Sequence, residues 1–141
     1  MDRMTRGPGW RAGMLGGLAA LAALAGAGCE GEASGVGVEV VYAAESGARA
    51  PALTDVTVIV GRDRHAWPTL PPAGSRRVTM APGPGDDAQA TLLFRLDGAE
   101  HAWRGPDLPP GTGYELRLRI GADGRVDPRH CVRPCRLPEA G

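Results

Sequence analysis

Apolar and polar residues alternate one by one along most of the chain beyond residue 35, and a period of two is the mark of a half-buried β-strand. The run GYELRLRI, residues 113–120, sets Tyr114, Leu116, Leu118 and Ile120 on one face and Glu115, Arg117 and Arg119 on the other. VGVEVVYA, 36–43, does the same with Val36, Val38, Val40 and Tyr42. TDVTVIVG, 54–61, aligns Val56, Val58 and Val60 with Ile59 opposite, and QATLLFRL, 89–96, aligns Leu92, Phe94 and Leu96. Three further runs are weaker. SRRVTMA, 75–81, is short and polar enough for an edge, AEHAWRG, 99–105, follows the 89–96 run, and RVDPRHC, 125–131, contains Pro128. Proline lacks the N–H that a central strand needs, so Pro128 belongs on an edge or in a bulge. No segment beyond residue 35 sustains a helical period.

The punctuation between these runs agrees. Asp97-Gly98 and Asp123-Gly124 each join two of them, and Asp-Gly suits the positive φ angles of a two-residue hairpin turn. Proline and glycine cluster at 68–74, 82–87 and 105–111, which therefore read as loops. A chain of 141 residues supports one domain. Seven short strands with regular turns in such a length predict an all-β sandwich.

LPPGTGYELRL, 108–118, sharpens that expectation. Leu108, Pro110, Thr112, Tyr114, Leu116 and Leu118 stand at alternate positions, and the stretch resembles the approach to the penultimate strand of fibronectin type III and related immunoglobulin-like domains. The resemblance implies a seven-stranded sandwich in which the Tyr114 hydroxyl bonds back to nearby backbone, as a buried phenol needs a partner. The family's core Trp has no counterpart in the second run. Trp67 and Trp103 are the side chains available to fill that space, or else to form an exposed aromatic platform. A transthyretin-like or carboxypeptidase-regulatory-like sandwich stays open as the alternative topology.

The first thirty residues have another character. Arg3, Arg6 and Arg11 outweigh Asp2, and the uncharged, Leu- and Ala-rich stretch AGMLGGLAALAALAGAG, 12–28, follows. A basic start and a short apolar run are the n- and h-regions of a secretory signal. The run is interrupted by glycine and is shorter than the roughly 20 apolar residues of a membrane-spanning helix. Gly26-Ala27-Gly28 then precede Cys29, an arrangement that resembles the lipobox of bacterial lipoproteins. The resemblance implies cleavage before Cys29, acylation of its thiol, and anchoring of the exported chain to the cell envelope through fatty acyl chains such as palmitate. Plain secretion and an uncleaved anchor are the alternatives. The expected organisation is a signal peptide at 1–28, a flexible tether at 29–35 and a sandwich at 36–141.

Charge narrows the partners. All 16 basic residues are Arg, balanced by 16 acidic ones, so the chain as a whole attracts neither nucleic acid nor an anionic membrane surface. With Cys29 acylated, Cys131 and Cys135 are left as an even pair in an oxidising compartment, which favours a disulfide. A redox-active pair is a second reading. A third is a soft-metal site of His130, Cys131 and Cys135, helped by His65, His101 or Met80, since thiolate, imidazole and thioether suit copper(I) or zinc. His65 and His101 otherwise stand alone, Asp86-Asp87 reads as a solvated acidic turn, and no serine sits in a nucleophile-elbow context. No catalytic set and no cofactor are therefore expected. The expected function is a non-enzymatic binding or structural domain that meets the membrane through its anchor and an envelope protein or polysaccharide through its surface. The stretch RDRHAWPTLPPAG, 62–74, is the expected binding loop, with Arg64, His65 and Trp67 as its contact residues.

Overall fold

The computed structural model describes residues 35–46, 49–82, 88–108 and 111–138. The signal segment, Cys29, the tether up to residue 34, Asp86, Asp87 and Pro110 lie outside these residues. Eight strands follow one another: β1 Val36–Tyr42, β2 Leu53–Val60, β3 Asp63–Leu70, β4 Ser75–Met80, β5 Ala88–Leu96, β6 Ala99–Leu108, β7 Tyr114–Ile120 and β8 Val126–Val132. They form two four-stranded sheets, in the orders β4-β1-β7-β8 and β3-β2-β5-β6. All neighbours are antiparallel except β1 and β7, which run parallel from Val36↔Tyr114 to Tyr42↔Ile120.

The alternating apolar residues account for the core. Val36, Val38, Val40 and Tyr42 from β1 and Leu116, Leu118 and Ile120 from β7 meet Val56, Val58, Val60, Leu92 and Phe94 from the other sheet, all buried. Burying each such Val, Leu or Phe contributes ~1.5–3 kcal/mol, and this sum is what holds the two sheets face to face. Trp67 and Trp103, on the two edge strands of the second sheet, are partly buried and pack against this core.

Three features differ from the expectation. The 62–74 stretch is not a loop: residues 63–70 form β3, hairpinned to β2 through Gly61-Arg62 with Gly61 at φ 60°. This eighth strand lies on an edge and buries only Leu70 fully, so its sequence has no need to alternate. The strand order also departs from the seven-stranded immunoglobulin arrangement, in which the first two strands share a sheet. Here β1 and β2 lie in opposite sheets. Finally, Asp55 takes a φ of 51° within β2, and the β2–β5 register shifts between Thr54 and Thr57. This is a β-bulge, whose extra residue lets Leu53 and Val56 both face the core although they are three apart.

The turns divide in the same way. Asp97 (φ 53°) and Gly98 (φ 78°) both take positive φ, as a two-residue type I′ hairpin requires. Asp123-Gly124 belongs to a wider loop, closed by Gly121 N to the Arg125 carbonyl at 2.8 Å, in which Gly124 alone of the pair has positive φ. Pro128 sits on an edge strand, as its missing donor demands, and so do Pro68 in β3 and Pro106 in β6.

Candidate functional site

The outer face of the second sheet carries an open groove of about 380 Å³. Thr57, Leu93 and Ala102 are cross-strand neighbours in one row and make its floor. Arg64 from β3, Asp55 from the bulge, and Arg95 and Glu100 from β5 and β6 bound it. The bulge matters here, because it displaces Asp55 from the regular alternation and brings it to the groove. Arg95 Nη2 donates to Glu100 Oε1 at 3.0 Å, an exposed pair that stiffens one wall. Among the described residues the side chains of Asp55 and Arg64 make no hydrogen bond or ion pair, so the groove offers one uncommitted anion and one uncommitted cation.

Thr57 and His101, which also line the groove, are turned to other partners. Thr57 Oγ1 is directed at the Asp55 carbonyl, 3.4 Å away. The His101 ring stacks on Phe94 with centroids 5.0 Å apart and planes nearly parallel, and it lies close against Gly124 of the β7–β8 loop.

The three residues expected to form one contact surface are separated by strand geometry. Arg64 faces the groove, whereas His65 and Trp67 project to the other side of β3, their rings 4.6 Å apart edge to face. Neighbouring strand residues point to opposite faces, so a cluster read as a loop is divided once it pairs.

The outer face of the first sheet is a network of ion pairs. Arg117 Nε donates to Glu39 Oε2 at 2.6 Å across the parallel β1–β7 pair. Glu115 accepts from Arg77 Nη2 at 2.7 Å and from Arg133 at 2.9 Å. Cys131 and Cys135 are joined by a disulfide, S–S 2.03 Å. Residues 133–138 then fold back over this face as a strap, with Arg117 Nη1 donating to the Pro138 carbonyl. A second hollow, about 280 Å³, lies between the strap and the sheet.

The disulfide removes the thiolates on which a soft-metal site would depend. His130 also lies opposite Leu116 while Cys131 lies opposite Glu115, on the other face of the sheet. Among the described residues no three His, Cys, Asp or Glu side chains are grouped to hold a metal ion. Of the sandwich signature, Leu108, Tyr114, Leu116 and Leu118 are buried and Thr112 is half-buried. The phenol-to-backbone bond found among the described residues belongs to Tyr42, whose hydroxyl donates to the Pro51 carbonyl at 3.0 Å. Tyr42 is fully buried, and burial pushes its hydroxyl pKa up from 10.0.

No family model matches the chain, and no curated protein matches it. Among solved structures, the chain is similar to a protein from Eubacterium rectale determined by NMR, at 10% identity and a TM-score of 0.46, covering 80% of this chain and 100% of that one. It is also similar to a candidate cell adhesion protein from Bacteroides ovatus, at 10% identity and a TM-score of 0.38, over 77% of this chain and 47% of that one. A candidate cell adhesion protein from Bacteroides fragilis matches at 12% identity and a TM-score of 0.32, over 77% and 48%. The chain spans about half the length of the two Bacteroides proteins.

Proposed function

We propose that the protein is an exported lipoprotein, anchored to the cell envelope through acylated Cys29, whose sandwich acts by binding a polypeptide segment of another envelope protein. The anchor rests on the apolar run that ends at Gly26-Ala27-Gly28-Cys29. The binding role rests on the groove of the second sheet, with an apolar and hydroxyl floor between an uncommitted Asp55 and an uncommitted Arg64. A polypeptide supplies charges of both signs as well as apolar side chains, which a neutral polysaccharide does not. Thr57 and His101, turned to backbone and to Phe94, support binding over catalysis. The four-plus-four strand order favours the transthyretin-like alternative over the fibronectin type III topology.

Intact mass of the protein extracted from its membrane tests the anchor. Cleavage before Cys29 with added acyl chains supports it, and an unmodified Cys29 overturns it. A photo-crosslinking residue placed at Ala102 in living cells tests the groove. The expected product is a protease-sensitive adduct that disappears in the Arg64→Glu and Asp55→Asn variants. A protease-resistant, glycosidase-sensitive adduct, or none, overturns the polypeptide reading.

A further inference from the structure

The chain-wide charge balance conceals a segregation. The outer face of the first sheet and its strap carry Arg77, Arg117, Arg119, Arg129, Arg133 and Arg136 against Glu39, Glu115 and Asp127. Six cations face three anions on one side of a chain whose total charge is zero. Glu139, outside the described residues, lowers that excess by one at most. The outer face of the second sheet is nearly balanced, with Arg64, Arg95 and Arg104 against Asp55 and Glu100. Arg119, Arg129 and Arg136 are exposed; Arg129 lies 3.9 Å from Asp127 in a loose, solvent-exposed pair that an anionic partner can compete with.

The basic face adjoins the point where the tether enters the fold. The Gly35 carbonyl accepts from Tyr114 N at 3.2 Å, and a Cβ on Gly35 would lie 3.9 Å from Arg133 Nη1. From Cys29 to Gly35 the backbone spans six residue steps, about 20 Å when fully extended. An acylated Cys29 therefore holds this face within a short reach of the lipid headgroups.

We infer that the outer face of the first sheet, with its strap, docks on the anionic headgroups of the bilayer in which Cys29 is anchored. The inference rests on the anchor reading. Surface arginines gain most from anionic lipid within a Debye length of the bilayer, about 8 Å at physiological salt, and a tether of about 20 Å allows that approach and keeps the face near it. Docking in this way turns the second sheet, and its groove, away from the membrane.

The test uses the full chain expressed with its signal segment, purified from its membrane and reconstituted in vesicles of phosphatidylcholine alone or mixed with phosphatidylglycerol. Amide hydrogen exchange then reports which face is covered. Slower exchange in β8 and the strap is expected with phosphatidylglycerol only, and it should weaken with added salt. Replacing Arg129 and Arg136 together by Gln lowers the docked-to-free ratio roughly thirtyfold. Both arginines are exposed, and retained slow exchange in the core strands confirms that the variant is folded. Equal exchange in the two vesicle types, or protection of β3 and β6 instead, overturns the inference. Intact mass separates the two proposals. If acyl chains are absent the anchor reading fails, and flotation of that same protein with the two vesicle types decides the basic face alone, loss of any phosphatidylglycerol preference counting against it. Binding to a soluble acidic polysaccharide equal to that for the vesicles also overturns it.

Discussion

The Glu115 carboxylate rests on the backbone of Gly37: a Cβ at that position would stand 2.5 Å from Glu115 Oε2 and 2.9 Å from Arg133 Nη2. The glycine thus admits the carboxylate that gathers Arg77 and Arg133 over β1. Gly37→Ala is expected to cost ~1–3 kcal/mol by overpacking this contact. The cost should shrink markedly when Glu115 is also replaced by Ala, because residues in contact are non-additive. A double-mutant cycle by urea denaturation measures it, and additive losses would show that the two do not communicate.

Gly124 and Gly98 both take positive φ, but their surroundings differ. A Cβ on Gly124 would lie 2.6 Å from His101 Cε1, while a Cβ on Gly98 meets nothing within 4 Å. Ala at Gly98 should cost about 1 kcal/mol of backbone strain. Ala at Gly124 should cost a further 1–3 kcal/mol, roughly, because the imidazole stacked on Phe94 has to move. Thermal melts of the two variants give the comparison directly.

Tyr42 links stability to alkaline pH. Its hydroxyl pKa is raised in the fold by burial, so the unfolded chain releases this proton first. The sandwich therefore keeps the full contribution below pH 10.0 and loses it as pH rises through the folded value. Tyr42→Phe should cost about 1 kcal/mol at neutral pH through the lost bond to the Pro51 carbonyl. The variant should also show a flatter decline above pH 10.0. Urea midpoints on both sides of that pH check the sign, and a parallel decline would reject it.

The five-residue loop closed by Cys131 and Cys135 constrains little unfolded chain, so its removal should cost about 2 kcal/mol. Replacing both cysteines by Ser is expected to leave a cooperative melt and to speed amide exchange chiefly in residues 133–138. Collapse of the whole sandwich would show that the strap is integral to the core.

Seven of the eight strands were legible because β1, β2, β5 and β7 bury one face completely, because Asp-Gly marks turns beside β6 and β8, and because Pro-Gly clusters bracket the short polar run of β4. β3 was not legible. Its edge position buries little, and Pro68 together with exposed Arg64 and His65 reads as a loop. The groove was hidden for a related reason. Asp55 reaches it through a bulge, and nothing in LTDVT marks one carboxylate as the residue that leaves the alternation. Arg64, His65 and Trp67 form a cluster in the sequence, yet only Arg64 lies at the groove, because pairing sends neighbours to opposite faces. The basic face was invisible to a net charge of zero, since charge segregates only once strands assign each Arg and Glu to a side.

Pro68, Pro106 and Pro128 each interrupt the free edge of an outermost strand, and the fourth outermost strand, β4, exposes Arg76 and Arg77. Proteins held on a surface meet one another at far higher local concentration than in bulk. Under that crowding an open row of N–H and C=O groups would recruit a neighbour's strand and start sheet growth. A missing donor on three outermost strands and exposed arginines on the fourth oppose that pairing between copies of this chain, however closely they are brought together.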